Sequence, residues 1–339
     1  NAMALRLPSL EFVDLHGGLA DLAAGRLRTP ATPEESFADD PLRMMRAARF
    51  GAQLGFVVAP EVYAAMSARA STLAMVSAER VRDEFVKLVS APDPRQGLTL
   101  LVDTGLSDVF LPELSALRLE VDEHHRHKDV YEHSLTVLEQ AIALEGSTPA
   151  SRAGLRVGTS GMPGGDGASG DSAGGDSAGG GGTAGDGTAY QVVESPDLVL
   201  RLAALLHDVG KPATRRFEAG GGVSFHHHEL VGARMVAKRL REMRFDKETI
   251  KAVARLVELH LRFHGYGTGQ WTDSAVRRYV TDAGPLLERL HLLTRSDCTT
   301  RNARKAARLA RTYDELELRI ARLAVEEELA AVRPELNGH

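Results

Sequence analysis

A single cysteine, Cys298, in 339 residues leaves no disulfide framework and no thiolate cage for a metal. Aromatic residues make up only 5% of the chain, and no run of eighteen apolar residues occurs, so no transmembrane helix is expected. The opening NAMALRLPSL lacks the basic-then-apolar pattern of a secretory signal, so a cytoplasmic protein without a membrane partner is expected. A formal net charge of −5 gives no global pull toward nucleic acid, and any such partner must be argued from local patches. Strand signals are also scarce. They are confined to the first thirty residues, where LEFVDL and GRLRTP read as short paired strands around the turn HGGLAD. A lone hairpin is not a stable domain, so these residues read as the edge of a larger β unit.

What the chain does contain is helix and histidine, with room for two or three domains. Pro41 sits where a first helical turn accepts it, with Asp39 and Asp40 as cap candidates, and LRMMRAARFGAQLGF follows. Further helices are expected at about 60–69, 77–90, 95–104, 129–144, 198–208, 229–243, 247–261, 273–282, 285–297 and 301–329. The fold class is therefore all-α, predominantly helical, with a short β remnant at the N-terminus. Between Gly146 and Gly187 lie 16 of the 33 glycines, with DSAGG at 171–175 and again at 176–180. A tract with so little to bury predicts a flexible loop or linker, and loops lengthen at modest entropic cost.

The polar residues of interest fall where apolar ones belong. Leu286, Leu290, Leu293 and Asp297 share one helical face, as do Ile250, Val253, Val257 and His260. Val130, His133, Val137 and Ala141 lie close to one face, and so do Leu200, Ala203, Ala204 and His207. Asp208 follows directly, and His228 opens the next helix beside Glu229. A lone inward histidine is ordinarily a satisfied core residue. An inward carboxylate is costly unless paired. Several histidines with two aspartates and no thiolate form a donor set for a hard or borderline divalent cation, which can activate water and polarise a phosphoryl oxygen.

DVYEHS, then LLHDVGK, then TRSDCTTR resembles the H…HD…D signature of the HD phosphohydrolase superfamily, an all-helical metal-binding fold. The resemblance implies His133, His207, Asp208 and Asp297 as ligands of Mg, Mn or Ni. FHHHELVGAR and ELHLR add His228 and His260, as in members that hold two metals. Lys211 would steady a phosphate or the groups around the ligands, so His207, Asp208 and Lys211 become the expected catalytic residues. The glycine tract lies between His133 and His207 and so interrupts this domain.

A second pattern occupies 37–56, FADDPLRMMRAARFGAQLGF. Arg43, Arg46 and Arg49 recur every three residues along one helical side, and Asp40 precedes Arg43 by three. A carboxylate beside a guanidinium can offer acceptors and donors to the edge of a base, although a solvated, salt-bridged face gives the same spacing. The stretch resembles motif D of the bacterial class II tRNA nucleotidyltransferases and poly(A) polymerases, EDxxRxxRxxRF, with Asp39 where glutamate is usual. FVDLHGGLADLAAGRLR resembles that family's D-x-x-G-G-x-x-D-L segment, with Asp14, Gly17, Gly18 and Asp21 in place. By this resemblance Asp40 and Arg43 select the base of CTP or ATP, and Arg46 and Arg49 hold the site or the phosphates.

The family's transfer chemistry needs a head domain whose D-x-D carboxylates hold two divalent (Mg) ions, and the sequence contains no D-x-D triplet. The opening NAMAL matches the tail of the family's R-R-D-F-T-x-N-A-M-A motif, so most of the head is expected to be missing and nucleotidyl transfer is not expected from this chain. The expected organisation is a head remnant at 1–36, a nucleotide-reading neck at 37–118, an HD domain at 119–298 with an insertion at 146–188, and a tail at 299–339.

From Arg289 to Arg311 there are seven basic residues against one acid, Asp297. Arg295, Arg301, Arg304, Lys305 and Arg308 form a candidate RNA face, since phosphate neutralisation supplies most non-specific affinity; a solvated helix face is the equal alternative. Arg239, Arg241 and Arg244 make a weaker cluster, and the acidic TYDELELRIARLAVEEELA restores the negative balance. The expected function is tRNA 3′-end CCA addition in the full enzyme, with 2′,3′-cyclic phosphodiesterase or phosphatase chemistry at the HD site. An independent HD nucleotidase, or a non-catalytic RNA-binding module with a structural metal, are the alternatives.

Overall fold

The computed structural model describes residues 3–119, 130–148, 193–218, 223–266, 271–300 and 302–331. Strands β1 (Met3–Arg6) and β2 (Glu11–Asp14) form an antiparallel hairpin. The expected pairing of LEFVDL with GRLRTP does not form. Both carboxylate oxygens of Asp14 accept backbone N–H groups, from Gly18 at 2.7 Å and Leu19 at 2.9 Å, and start helix α1 (Gly18–Ala23) inside the expected turn. β3 (Arg26–Leu27) then pairs in parallel with β4 (Val57–Val58). A parallel pair needs a long crossover, here α2 (Pro33–Asp39) and α3 (Leu42–Leu54). The sequence reading missed α2, whose signal is a capping box. Thr32 accepts from the Glu35 N–H at 3.3 Å and donates to the Glu35 carboxylate at 2.8 Å, with Pro33 at the first position.

α4 (Pro60–Arg69), α5 (Ala78–Val89), α6 (Arg95–Asp103), α7 (Leu106–Phe110) and α8 (Pro112–Ala116) complete a first helical layer, with α3 packed on α5 and α6. The second layer contains α9 (Val130–Leu144), α10 (Leu198–Leu206), α11 (Lys211–Thr214), α12 (His228–Glu242), α13 (Lys247–Leu259), α14 (Asp273–Ala283), α15 (Leu287–Ser296) and α16 (Ala303–Ala331). A short antiparallel pair, β5 (Arg216–Phe217) and β6 (Val223–Ser224), stands between α11 and α12. The predominantly helical class is as the sequence indicates.

α10 is buried at every position from Leu200 to Leu206 and touches α9, α13, α15 and α5, which is why it reads as apolar all round. Its one charged residue, Arg201, is buried and fully engaged. It holds the Glu145 carboxylate with two bonds of 2.7 Å and donates to the Val89 and Ala91 carbonyls at 2.9 and 2.7 Å. Those carbonyls lie at the C-terminal end of α5, where a cation is favoured. Glu145 also accepts from the Ser195 hydroxyl at 2.7 Å and the Asp197 N–H at 3.1 Å, and Gly146 N–H donates to Val193 O at 2.8 Å. The chain therefore leaves and re-enters the fold at one point. Beyond Ser147 and Thr148, the expected insertion at 146–188 lies outside the described residues, as does the expected domain start at 119–129 apart from residue 119.

Candidate metal centre and nucleotide cleft

Six side chains from five stretches of chain converge. His133 comes from α9, and His228 is the first residue of α12. His207, His260 and Asp297 stand at the C-terminal caps of α10, α13 and α15. Three helix C-termini aimed at one spot create a negative field that favours a cation and disfavours an isolated carboxylate. Ligand atoms of His133, His207 and Asp297 form one group within 4.8 Å of one another, and those of Asp208, His228 and His260 form another. Asp208 links them: Oδ2 lies 3.1 Å from His207 Nε2 and 3.5 Å from His133 Nε2, and Oδ1 lies 3.2 Å from His228 Nε2. Asp297 Oδ1 is 3.0 Å from His133 Nε2, and Lys211 Nζ is 3.0 Å from Asp208 Oδ2.

The rings are held ready for coordination. Nδ1–H of His207, His228 and His260 donates to the carbonyl three residues earlier, Ala204, Phe225 and Val257, at 2.9, 2.9 and 2.6 Å. For His207 and His260 these are carbonyls that the ending helix leaves open. The bond fixes the tautomer and turns Nε2 into the site as a lone-pair donor. His133 Nδ1 lies 3.3 Å from the Thr299 hydroxyl.

Among the protein groups alone, the electrostatics are strained. Burial pulls His207 toward neutrality, but Asp208 and Asp297 outweigh it and raise its pKa to about 9. Burial, reinforced by the charge on His207, lowers His260 to about 3. For Asp208, burial works against ionisation, yet His207 and Lys211 hold the carboxyl well below the usual range. Asp297 is held low in the same way, by its hydrogen bond with His133 and the charge of His207 acting against burial. His260 Nε2 is buried with no hydrogen-bond partner among the described residues. An orphaned imidazole nitrogen beside two carboxylates and three more histidines fits a divalent cation, with oxygen and nitrogen donors suited to Mg, Mn or Ni.

Sequence reasoning did not single out Gly210 for what it does here. A Cβ there would stand 2.1 Å from His228 O and 2.7 Å from Gly232 N. Only glycine lets the turn carrying His207 and Asp208 close onto the start of α12.

The neck holds a cleft of about 620 Å³ lined by Arg28, Thr29, Asp39, Arg43, Arg46 and Phe50 among others. Of the four expected nucleotide residues, Arg43 and Arg46 line it. Asp40 and Arg49 do not, because α5 claims them. Asp40 Oδ2 pairs with Arg80 at 3.0 Å while Oδ1 accepts Leu42 N–H at 3.2 Å, and Arg49 pairs with buried Glu84 at 2.8 Å. Glu84 also holds Arg46 at 3.5 Å. Arg28, unexpected from the sequence, stands in the lining and is braced by Asp21 at 2.7 Å.

On the tail, Arg304, Lys305 and Arg308 are exposed along the start of α16, and Arg301 lies outside the described residues. Arg295 corrects the expectation of an RNA contact. It is 7% exposed and bound to Glu317 at 2.9 Å and Asp314 at 2.7 Å, so it anchors α16 to α15. Its partners lie 19 and 22 residues later on another helix, which the local basic run hides. Among the described residues no helix is long and apolar enough to cross a membrane.

Comparison with known proteins identifies the family. Residues 130–324 match the HD domain family, and residues 55–117 match the probable RNA and SrmB-binding site of polymerase A. The A-adding tRNA nucleotidyltransferase of Deinococcus radiodurans is 30% identical over 344 aligned positions, covering all of this chain and 66% of that protein. The CC-adding tRNA nucleotidyltransferase of Thermus thermophilus is 31% identical over 245, covering 70% of this chain and 44% of its own length. The fold resembles that of the Bacillus stearothermophilus CCA-adding enzyme solved with CTP, at TM-score 0.51 and 21% identity, over 95% of this chain and 57% of that one. This chain thus spans two thirds or less of the length of these relatives. Its neck, its HD centre and these relatives agree: the chain belongs to the class II tRNA nucleotidyltransferase family and carries an HD domain.

Proposed function

We propose that the chain is the neck, HD and tail portion of a tRNA 3′-end CCA-adding enzyme, and that its HD centre is a metal-dependent phosphohydrolase acting as a 2′,3′-cyclic phosphodiesterase or phosphatase. The observation that carries the second part is the convergence of His133, His207, Asp208, His228, His260 and Asp297, with the Nε2 of His260 orphaned and buried. A bound divalent cation would supply Lewis acidity toward a phosphoryl oxygen and lower the pKa of water. Asp208 and Asp297, kept ionised, provide the anionic donors, and the three carbonyl-anchored histidines hold their orientation without reorganisation. Lys211 is poised to neutralise a phosphate while keeping Asp208 ionised.

The neck cleft takes the base and phosphates of CTP or ATP through Arg43 and Arg46, with Asp39 beside them, and Arg304, Lys305 and Arg308 contribute to holding tRNA. Nucleotidyl transfer is a property of the whole protein, since it requires a D-x-D carboxylate pair that these 339 residues do not contain. The test is turnover of a 2′,3′-cyclic nucleotide with and without Mg²⁺, Mn²⁺ or Ni²⁺. Hydrolysis that requires metal and disappears in Asp208→Ala supports the reading. Stoichiometric metal without turnover would instead make the centre structural.

A further inference from the structure

The β5–β6 pair has no part in holding metal, yet both of its ends are tied to ligands. Lys211, which reaches Asp208 at 3.0 Å, begins α11 just before it, and Phe225, just after it, gives its carbonyl to the Nδ1–H of His228 at 2.9 Å. Lys211 also lies 5.6 Å from the centre of the Phe225 ring. On this pair stands Phe217, whose Cα partner across the ladder is Val223 and whose surface is 77% exposed. A phenylalanine so exposed contributes little to a core, and here the Arg215 guanidinium stacks over its ring at 5.1 Å from the centre. From Lys211 to Phe217 the chain runs through one helical turn and a short strand, which limits their separation to about 15 Å. The platform is therefore within about 15 Å of Lys211 along the chain, and Arg215 and Arg216 stand beside it in sequence.

We propose that Phe217, with Arg215, is the nucleobase-binding subsite of the HD centre. A base stacks on the Phe217 ring while its terminal phosphate enters beside Lys211. This rests on the phosphohydrolase reading above and narrows it: the substrates are phosphoesters that carry a nucleobase next to the scissile phosphate. An aromatic face is indifferent to base identity, and the neighbouring cations suit the phosphodiester charge. The same chemistry is offered by a free cyclic nucleotide and by the 3′ end of an RNA.

The experiment compares 2′,3′-cyclic AMP, a short RNA ending in a 2′,3′-cyclic phosphate, and the base-free analogue glycerol 1,2-cyclic phosphate. In Phe217→Ala the ratio of kcat/KM for the cyclic nucleotide to that for the base-free ester should fall about tenfold or more, through KM, because base–aromatic stacking is lost. Phe217→Trp should retain the ratio. Its added fluorescence should be quenched by 2′-AMP and not by glycerol phosphate, a readout independent of turnover and of metal. A loss confined to the RNA arm would assign the platform to RNA ends, and a loss in both arms would assign it to the base itself. An unchanged ratio with no selective quenching overturns the proposal while leaving the hydrolase reading intact. Failure of the metal-loaded wild-type protein to hydrolyse any of the three removes that reading and the subsite with it.

Discussion

Gly210→Ala is the sharpest probe of how the metal centre is built. The added methyl would lie 2.1 Å from His228 O, 2.9 Å from His228 C and 2.7 Å from Gly232 N. All three atoms are backbone, so no side-chain rotation relieves the clash. Ordinary C···O contacts begin near 3.3 Å, so α12 and the turn after α10 must separate by about 1 Å. That movement draws His228 away from Asp208, which it faces at 3.2 Å. Overpacking of this kind costs about 1–3 kcal/mol, or roughly 2–12 °C in Tm for a domain of this size. The effect on the cation should match the loss of a ligand-supporting group, about 10–100-fold in affinity. Thermal melts with and without Mn²⁺ or Ni²⁺, paired with calorimetric titration, read both effects. With metal at a hundred times Kd the wild-type protein should gain about 2.7 kcal/mol, and the variant at the same metal concentration should lose about 1.3–2.3 kcal/mol of that gain. A variant with the wild-type midpoint and metal shift would refute the claim that this close approach sets the site.

Other perturbations have equally definite outcomes. Because His207 is raised to about 9, its contribution to the stability of the metal-free chain is complete below about pH 6.5 and disappears as pH rises through 9. Metal uptake displaces that proton, so apparent affinity should climb about tenfold per pH unit between 6.5 and 9 and then level off; a flat titration profile would contradict this. Glu84→Gln should destabilise the neck by about 2–3 kcal/mol, less than a fully buried pair because Arg46 is half exposed, and weaken CTP binding; denaturant unfolding and equilibrium dialysis check the two effects. Arg28→Met should lower affinity for CTP and for inorganic triphosphate alike, about tenfold in direct titrations, as loss of one charge-assisted contact does. Replacing Arg304 or Arg308 with Ala should reduce the salt dependence of tRNA binding by about one charge each. Arg295→Ala should instead lower the melting temperature and leave that slope unchanged, because its charge is consumed by Glu317 and Asp314.

The helices were legible because an amphipathic repeat is a local property. The candidate metal ligands stand out in the sequence for a related reason: His133, His207, His260 and Asp297 occupy positions where the repeat calls for apolar residues, and such placement is expensive without a purpose. Two-residue strands such as β3 and β4 carry no pattern of their own, so their parallel pairing across 26–58 was set by tertiary contacts that a window cannot see. The same holds for residues whose meaning lies in a distant partner. Arg295 looks like its basic neighbours until Glu317 folds back on it. Arg201 is one arginine in an apolar helix until Glu145 and two α5 carbonyls surround it. Glu84 looks like a surface glutamate until Arg46 and Arg49 converge on it. The capping box at Thr32 was local and could have been read.

The closure at Glu145 also bears on how this fold changes over time. Gly146 and Val193 are joined by one backbone hydrogen bond, and Glu145 reaches across to Ser195 and Asp197, so the distance in space between the two flanks is independent of the number of residues between them. His133 and His207 are 74 residues apart in this chain, yet their Nε2 atoms lie 3.3 Å from each other. Insertions and deletions at this seam are thus close to neutral for the metal centre. A longer, shorter or different segment between the two flanks should therefore leave the helices on either side, and the approach of His133 to His207, unchanged.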